Sequence, residues 1–173
     1  MKLIQISLAV LMMAAVGAAI EVTYVDFPKT QVAAIRIEDY TKMGEAFGKL
    51  GSWAGPQGLL SSKTLWLSIY HANMFTIPEK PTPVDCAITV AGTVKPGEGM
   101  TLQEIGGSKY AKYVYKRPYD KLNQAWHDVL NEVMKSKEYT TADKPSLEVY
   151  INHPGQAKPE DLVTEIYLPV EPK

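Results

Sequence analysis

Ala34-Ile-Arg-Ile-Glu-Asp-Tyr40, followed by Lys42, Met43, Ala46 and Phe47, returns as Tyr113-Val-Tyr-Lys-Arg-Pro-Tyr119, followed by Lys121, Leu122, Ala125 and Trp126 (119 − 40 = 79). Val84-Asp-Cys-Ala-Ile-Thr-Val90 returns in the same way as Thr164-Glu-Ile-Tyr-Leu-Pro-Val170 (170 − 90 = 80). Each copy reads strand, strand, helix, strand, strand. The chain is therefore read as α+β, a duplicated β-β-α-β-β unit with pseudo-repeats at 20–94 and 99–171, joined through Lys95-Pro-Gly-Glu-Gly99. Duplicated units commonly pack about a pseudo-two-fold axis, and the groove between them is a natural ligand site.

Within the first copy, residues 20–27 alternate and end at Pro28, and 31–38 form a second strand with Lys29-Thr30 as the expected hairpin link. Residues 40–53 carry Met43, Phe47 and Leu50 at helical spacing until Gly55-Pro56 stops them. Strands at 64–71 and 85–91 are joined by a loop through Pro78, Pro81 and Pro83. In the second copy, strands at 100–105 and 109–116 flank the turn Gly106-Gly107. Pro118 then opens a helix over 118–135, whose Leu122, Ala125, Trp126, Val129, Leu130 and Val133 form one apolar stripe. The last two strands, 147–152 and 162–170, are bridged by His153-Pro-Gly. We expect one eight-stranded sheet with both helices on the same face.

The bulk numbers exclude as well as permit. Eighteen basic against nineteen acidic side chains leave a formal charge of −1, with no basic run to attract nucleic acid. Residues 1–19 follow another grammar: Lys2, an apolar run from Leu3 to Val16 broken only by Gln5 and Ser7, then small residues suited to cleavage after Ala18 or Ala19. This reads as a cleaved secretory signal, which places the mature protein (net charge −2 once Lys2 is lost) in the periplasm or outside the cell. The alternative is an uncleaved N-terminal membrane anchor, although the run is short against the roughly 20 residues of a span. Cys86 has no partner for an internal disulfide and sits in an apolar strand pattern, where an inert buried thiol is expected. His71, His127 and His153 show no metal-ligand spacing, so neither metal nor cofactor is assigned.

Strand alternation sorts the remaining candidates. Leu65, Leu67 and Ile69 oppose Trp66, Ser68 and Tyr70; Leu147, Val149 and Ile151 oppose Glu148, Tyr150 and Asn152; Ile166, Leu168 and Val170 oppose Glu165 and Tyr167. The aliphatic faces are expected to meet the helices. The other face, to which parity adds Tyr113 and Tyr115, mixes large rings with carboxylates, whereas a merely wet face is normally Lys, Glu, Thr and Ser. Trp66, Tyr70, Tyr113 and Tyr115, together with Glu148, Tyr150, Glu165 and Tyr167, are therefore the expected lining of one ligand-binding concavity.

The stretches Gly106-Gly-Ser-Lys-Tyr-Ala-Lys-Tyr113, Arg117-Pro-Tyr-Asp-Lys-Leu-Asn-Gln-Ala-Trp126, Leu147-Glu-Val-Tyr-Ile-Asn-His-Pro154 and Thr164-Glu-Ile-Tyr-Leu-Pro-Val170 resemble the GyrI-like, or AraC-type effector-binding, domain family, over about residues 20–171. The resemblance implies a concave antiparallel sheet with both helices on its convex side, and a central cleft that takes lipophilic, often cationic, aromatic compounds. It also implies that the acidic cleft residue is Glu148 or Glu165. Related members include sensor halves of transcription regulators, gyrase-binding proteins and hydrolases of cyclopropane-bearing natural products. Without a DNA-binding module, and with an export signal, the regulator and gyrase roles are not expected here.

A carboxylate among rings suits a lipophilic cation, because ring faces attract cations and a neutral ligand does not repay the acid's desolvation. Asp85 is the repeat partner of Glu165, and Arg36, which has the parity of Tyr115, is expected to neutralise one cleft acid. Binding of a small amphipathic or aromatic molecule, rather than catalysis, is the leading expectation. Two alternatives remain open: a hydrolase in which two carboxylates share acid and base roles, and a protein-interaction module.

Overall fold

The computed structural model of the chain describes residues 20–71 and 83–173. The expected signal segment and most of the proline-containing loop before Pro83 lie outside the described residues. β1 (Thr23–Phe27) and β2 (Thr30–Ile37) lead through a 3-10 turn at Tyr40–Lys42 into α1 (Met43–Ala54), followed by β3 (Trp66–Tyr70) and β4 (Val84–Thr89). β5 (Thr101–Ile105) and β6 (Ser108–Lys116) lead through a second 3-10 turn at Tyr119–Lys121 into α2 (Leu122–Lys135). A short β7 (Tyr139–Thr141), absent from the sequence reading, precedes β8 (Ser146–Tyr150) and β9 (Val163–Pro172). Among the described residues no helix is long and apolar enough to cross a membrane.

The strands form a curled antiparallel sheet ordered β1-β6-β9-β8-β3-β4-β2-β5, with β7 on β9. Exchanging each strand for its counterpart in the other half (β1 for β5, β2 for β6, β3 for β8, β4 for β9) reverses this order into itself. A pseudo-two-fold axis therefore passes between β3 and β8. There Trp66 pairs with Tyr150, Ser68 with Glu148 and Tyr70 with Ser146. At the repeat offset (150 − 70 = 80), Ser68 and Glu148 are counterparts lying opposite each other, and the axis runs between them.

The expected hairpin at Lys29-Thr30 does not form. β1 leaves its own half to pair with β6, and β5 leaves its half to pair with β2. The two halves thus exchange edge strands, and their connections meet where Gly107 N–H donates to the Phe27 carbonyl at 2.8 Å.

The sheet has two cores. On one face Leu50, Ala54, Trp126, Val129 and Val133 of the helices pack on Cys86, Ile166, Leu168 and Val170. Both helices therefore lie on the same face, as expected. On the other face Leu67, Ile69, Leu147 and Val149 pack with Phe27, Tyr110 and Tyr167, inside the curl of the sheet itself. This corrects the sorting of β3 and β8: their aliphatic residues face away from the helices, and Trp66, Tyr70, Glu148 and Tyr150 face toward them. Burying a Leu or Ile side chain is worth about 1.5–3 kcal/mol, so a dry interior inside the curl claims the aliphatics of the central strands. The one-wet-face rule for antiparallel sheets does not hold where both faces are covered.

A second correction concerns Arg36. It pairs with Asp85, and Val114 pairs with Glu165, so Arg36 corresponds to Val114 and Ile37 to Tyr115 (115 − 37 = 78). One extra residue precedes the second helix, and a one-residue shift turns a strand side chain to the other face. Arg36 therefore lies on the face opposite Tyr115.

Candidate functional site

Glu148 stands at the centre of β8, only 3% exposed, on the helix side of the sheet. Its Oε1 accepts the indole N–H of Trp126 at 2.6 Å. Its Oε2 accepts the hydroxyls of Tyr70 at 2.9 Å and Tyr150 at 2.8 Å, two counterparts across the pseudo-two-fold axis. Ser68 Oγ lies 2.8 Å from Tyr150 OH, and with the phenolic proton directed to Glu148 the serine is the donor.

These donors favour the carboxylate anion, but burial opposes it more strongly, and the Glu148 pKa is held above the usual carboxylate range. Burial together with the Glu148 charge pushes the Tyr70 and Tyr150 hydroxyls well above theirs, and those of Tyr40 and Tyr119 in the same direction. All four phenols stay neutral at ordinary pH. Among the described residues no Lys, Arg or His forms an ion pair with Glu148.

Above this carboxylate, between the first turns of the helices, opens a cavity of about 1190 Å³, room for a drug-sized molecule. Met43, Gly44 and Phe47 form its α1 wall, Trp66 and Tyr70 come from β3, and Tyr119 and Leu122 from the start of α2. Tyr150 and the β8–β9 connection, including His153 and Gln156, complete it. The rings meet edge to face: Phe47 with Trp66 at 6.0 Å, Phe47 with Tyr150 at 5.7 Å and Tyr119 with Tyr150 at 5.9 Å between centroids. The apolar stripe of α1 explains the opening. Leu50 is fully buried, whereas Phe47 and Met43, one turn and two turns earlier, are only half-buried and border the cavity.

Of the expected lining, the structure brings together Trp66, Tyr70, Glu148 and Tyr150. Tyr113 and Tyr115 share the helix side but belong to its packing: Tyr115 is buried and donates to the Pro118 carbonyl at 2.8 Å, and Tyr113 packs against the same core. Glu165 and Tyr167 lie on the opposite face, level with Val149 and Leu147. There Lys112 holds Glu165 at 2.6 Å and Tyr167 donates to it at 2.6 Å. The eight residues do not line one concavity, and the sheet separates Glu148 from Glu165.

Asp85 is buried on that opposite face, bound by Arg36 at 2.7 and 3.1 Å, His71 at 2.6 Å and Gln103 at 3.0 Å. Burial alone would raise its pKa, but these donors together hold it below the usual range. Arg36 therefore neutralises an acid outside the cavity. Burial pushes the Cys86 thiol up to about 12, which suits an inert core residue. Among the described residues no cluster of His, Cys, Asp and Glu could hold a metal ion.

Tyr40, Phe47 and Tyr119 line the cavity and Trp126 holds Glu148 beside it, and none of the four was singled out from the sequence as a ligand residue. The signal was present, since all four are anchors of the internal repeat, but conserved spacing within a repeat reads equally well as packing.

A duplicated curled sheet carrying paired helices over a buried acid and an aromatic cavity defines a small-molecule-binding domain. The chain belongs to the GyrI-like family: the GyrI-like small molecule binding domain matches residues 20–171. Among its relatives is the DNA gyrase inhibitor of Escherichia coli (strain K12), 27% identical over 132 residues, 75% of this chain and 82% of the relative. Among solved structures, the EcmrR C-terminal domain superposes with a TM-score of 0.71 at 21% identity, covering 88% of this chain and 98% of that domain. EcmrR in its DNA complex superposes with a TM-score of 0.76, also at 21% identity, with 88% of this chain covering 58% of the longer one. SAV2435 bound to tetraphenylphosphonium superposes with a TM-score of 0.54 at 16% identity, covering 87% and 94% of the two chains.

Proposed function

We propose that this chain binds a lipophilic cation bearing aromatic or other apolar groups, in the cavity between its helices and with Glu148 as the counter-charge. The observation that carries the reading is a buried carboxylate, held only by neutral donors, on the floor of a cavity walled by aromatic rings. Desolvating that acid costs free energy, which a cation offsets by Coulomb attraction and a neutral ligand does not. Each ring face presented to the cation adds about 0.5–2 kcal/mol. The bound tetraphenylphosphonium of SAV2435 supports the same chemistry.

The test is titration calorimetry with tetraphenylphosphonium against a neutral aromatic of similar size, on wild type and Glu148→Gln. The variant should lose about 1–3 kcal/mol of cation binding, the scale of a charge-assisted contact, with the neutral ligand little changed. Equal cation affinity in both proteins would reduce the cavity to an apolar slot.

The place of action we propose is the periplasm or the cell exterior, supported by the signal-like grammar of residues 1–19. An exported protein does not meet gyrase, so the activity named for the relatives is not carried over. Nor is the DNA binding of EcmrR, of which this chain spans 58%. Fractionation with N-terminal sequencing decides the location, and an intact Met1 on cytoplasmic protein would sink it.

A further inference from the structure

The cavity does not respect the pseudo-two-fold axis that runs through its floor. On the α2 side Trp126 is almost fully buried and fills the space beside Glu148. Its counterpart Phe47 (126 − 47 = 79) has no N–H to donate and remains half-buried at the cavity wall. Along α1, Gly44, Gly48 and Gly51 fall at spacings of four and seven, on one side of the helix. Their counterparts on α2 are Asn123, His127 and Leu130, which carry side chains at all three places. A Cβ at Gly51 would stand 3.3 Å from the Trp66 ring, so the indole lies close against the α1 backbone. A Cβ at Gly44 would meet nothing within 4 Å, and Gly44 borders the cavity. Glycine in a helix weakens it, so at Gly44 and Gly51 the α1 side keeps its room at the expense of helix stability.

We propose that Gly44 is a size-determining residue of the binding site, and that the bulk of the ligand sits off the axis, against α1, Phe47 and Trp66. The inference rests on the cavity being the ligand site, but not on the charge of the ligand. Gly44 borders the cavity and a Cβ there meets no protein atom, so a larger side chain is expected to shorten the site while leaving the fold intact.

The experiment compares Gly44→Leu with wild type and with Gly48→Leu, which is exposed, does not border the cavity and also meets nothing within 4 Å. Three probes are titrated: tetraphenylphosphonium, the neutral bulky dye Nile red, and the small cation phenyltrimethylammonium. Gly44→Leu should lose about tenfold or more in affinity for both bulky probes, the scale of one obstructed contact, and keep that for the small cation. Its melting temperature without ligand should equal or exceed that of wild type, as should that of Gly48→Leu, which binds all three probes unchanged. Wild-type affinity for the bulky probes in Gly44→Leu, or an equal loss for all three, would overturn the proposal. The Nile red arm reads size alone, so a failure of the cation reading under Glu148→Gln stays distinguishable from a failure here. A wild-type protein that binds neither bulky probe would overturn both.

Discussion

Ser68 and Glu148 face each other across the pseudo-two-fold axis, the same position of the repeat filled once by a hydroxyl and once by a carboxylate. Two acids there would stand directly opposite on adjacent strands and repel. One acid and one serine instead give a single charge, with counterpart phenols Tyr70 and Tyr150 both donating to it.

On the proposed cation reading, the acid on the axis should make binding depend on pH. The Glu148 pKa is raised in the folded protein by burial, so cation affinity should fall on acidification at a higher pH than for an ordinary glutamate near 4.3. The free protein responds with the opposite sign. A folded pKa above the unfolded one means the native state binds more protons between the two values, so stability falls as pH rises through that window. Urea midpoints of wild type and Glu148→Gln, measured from about pH 4 upward, should therefore diverge in favour of the variant. A pH-independent difference would show that the acid is not desolvated as described.

Trp126 holds the same carboxylate from the helix. Trp126→Phe matches the counterpart Phe47, removes the 2.6 Å hydrogen bond and leaves Oε1 without that donor. Losing a hydrogen bond to a buried charged group costs about 1–3 kcal/mol, readable in chemical denaturation. The anion is then less well held, so the pH at which cation binding is half lost should move upward. A change in stability without that upward movement would mean that the indole only packs.

The duplication and both helices were legible because repeat spacing and 3.6-residue periodicity are local properties. The swap of β1 and β5 between halves was not, since Lys29-Thr30 looks the same whether its flanking strands pair with each other or with distant ones. The face of the site was misread for a physical reason. Alternation in β3 and β8 separates aliphatic from mixed residues but does not say which side the helices cover, and here both sides are dry. Glu148 borders the cavity, but Glu165, identical in type and placed in an equally good strand pattern, belongs to the opposite face.

That separation is open to test. Glu165→Gln should leave affinity for tetraphenylphosphonium unchanged, whereas Glu148→Gln should lower it. Asp85→Asn should likewise spare binding but cost about 1–3 kcal/mol of stability, since it weakens a buried carboxylate that accepts from three side chains. Arg36 is more than half exposed, which keeps its share of that figure small. The folded pKa of Asp85 is depressed, so its contribution is complete above the unfolded pKa and lost as pH falls through the folded one. A binding defect in Glu165→Gln equal to that in Glu148→Gln would contradict the face assignment.

The crossing of the two exchanged connections gives the sharpest stability prediction. Gly106 and Gly107 both have positive φ, +77° and +67°, which costs a non-glycine residue about 1–2 kcal/mol. Only Gly106 is also pressed against backbone: a Cβ there would stand 2.3 Å from the Pro28 carbonyl oxygen and 2.7 Å from the Phe27 ring. At Gly107 the nearest atom is Lys29 Cβ at 3.7 Å, an ordinary contact. Gly107→Ala should therefore lose only the conformational cost. Gly106→Ala must also move the β1–β2 connection, whose strands β1 and β2 lie toward opposite ends of the sheet order. Its loss should exceed about 3 kcal/mol, among the large effects for a single substitution. Parallel urea titrations of the two variants measure the difference. Equal losses would mean that the connections do not pack as described, and that the halves are closed by strand pairing alone.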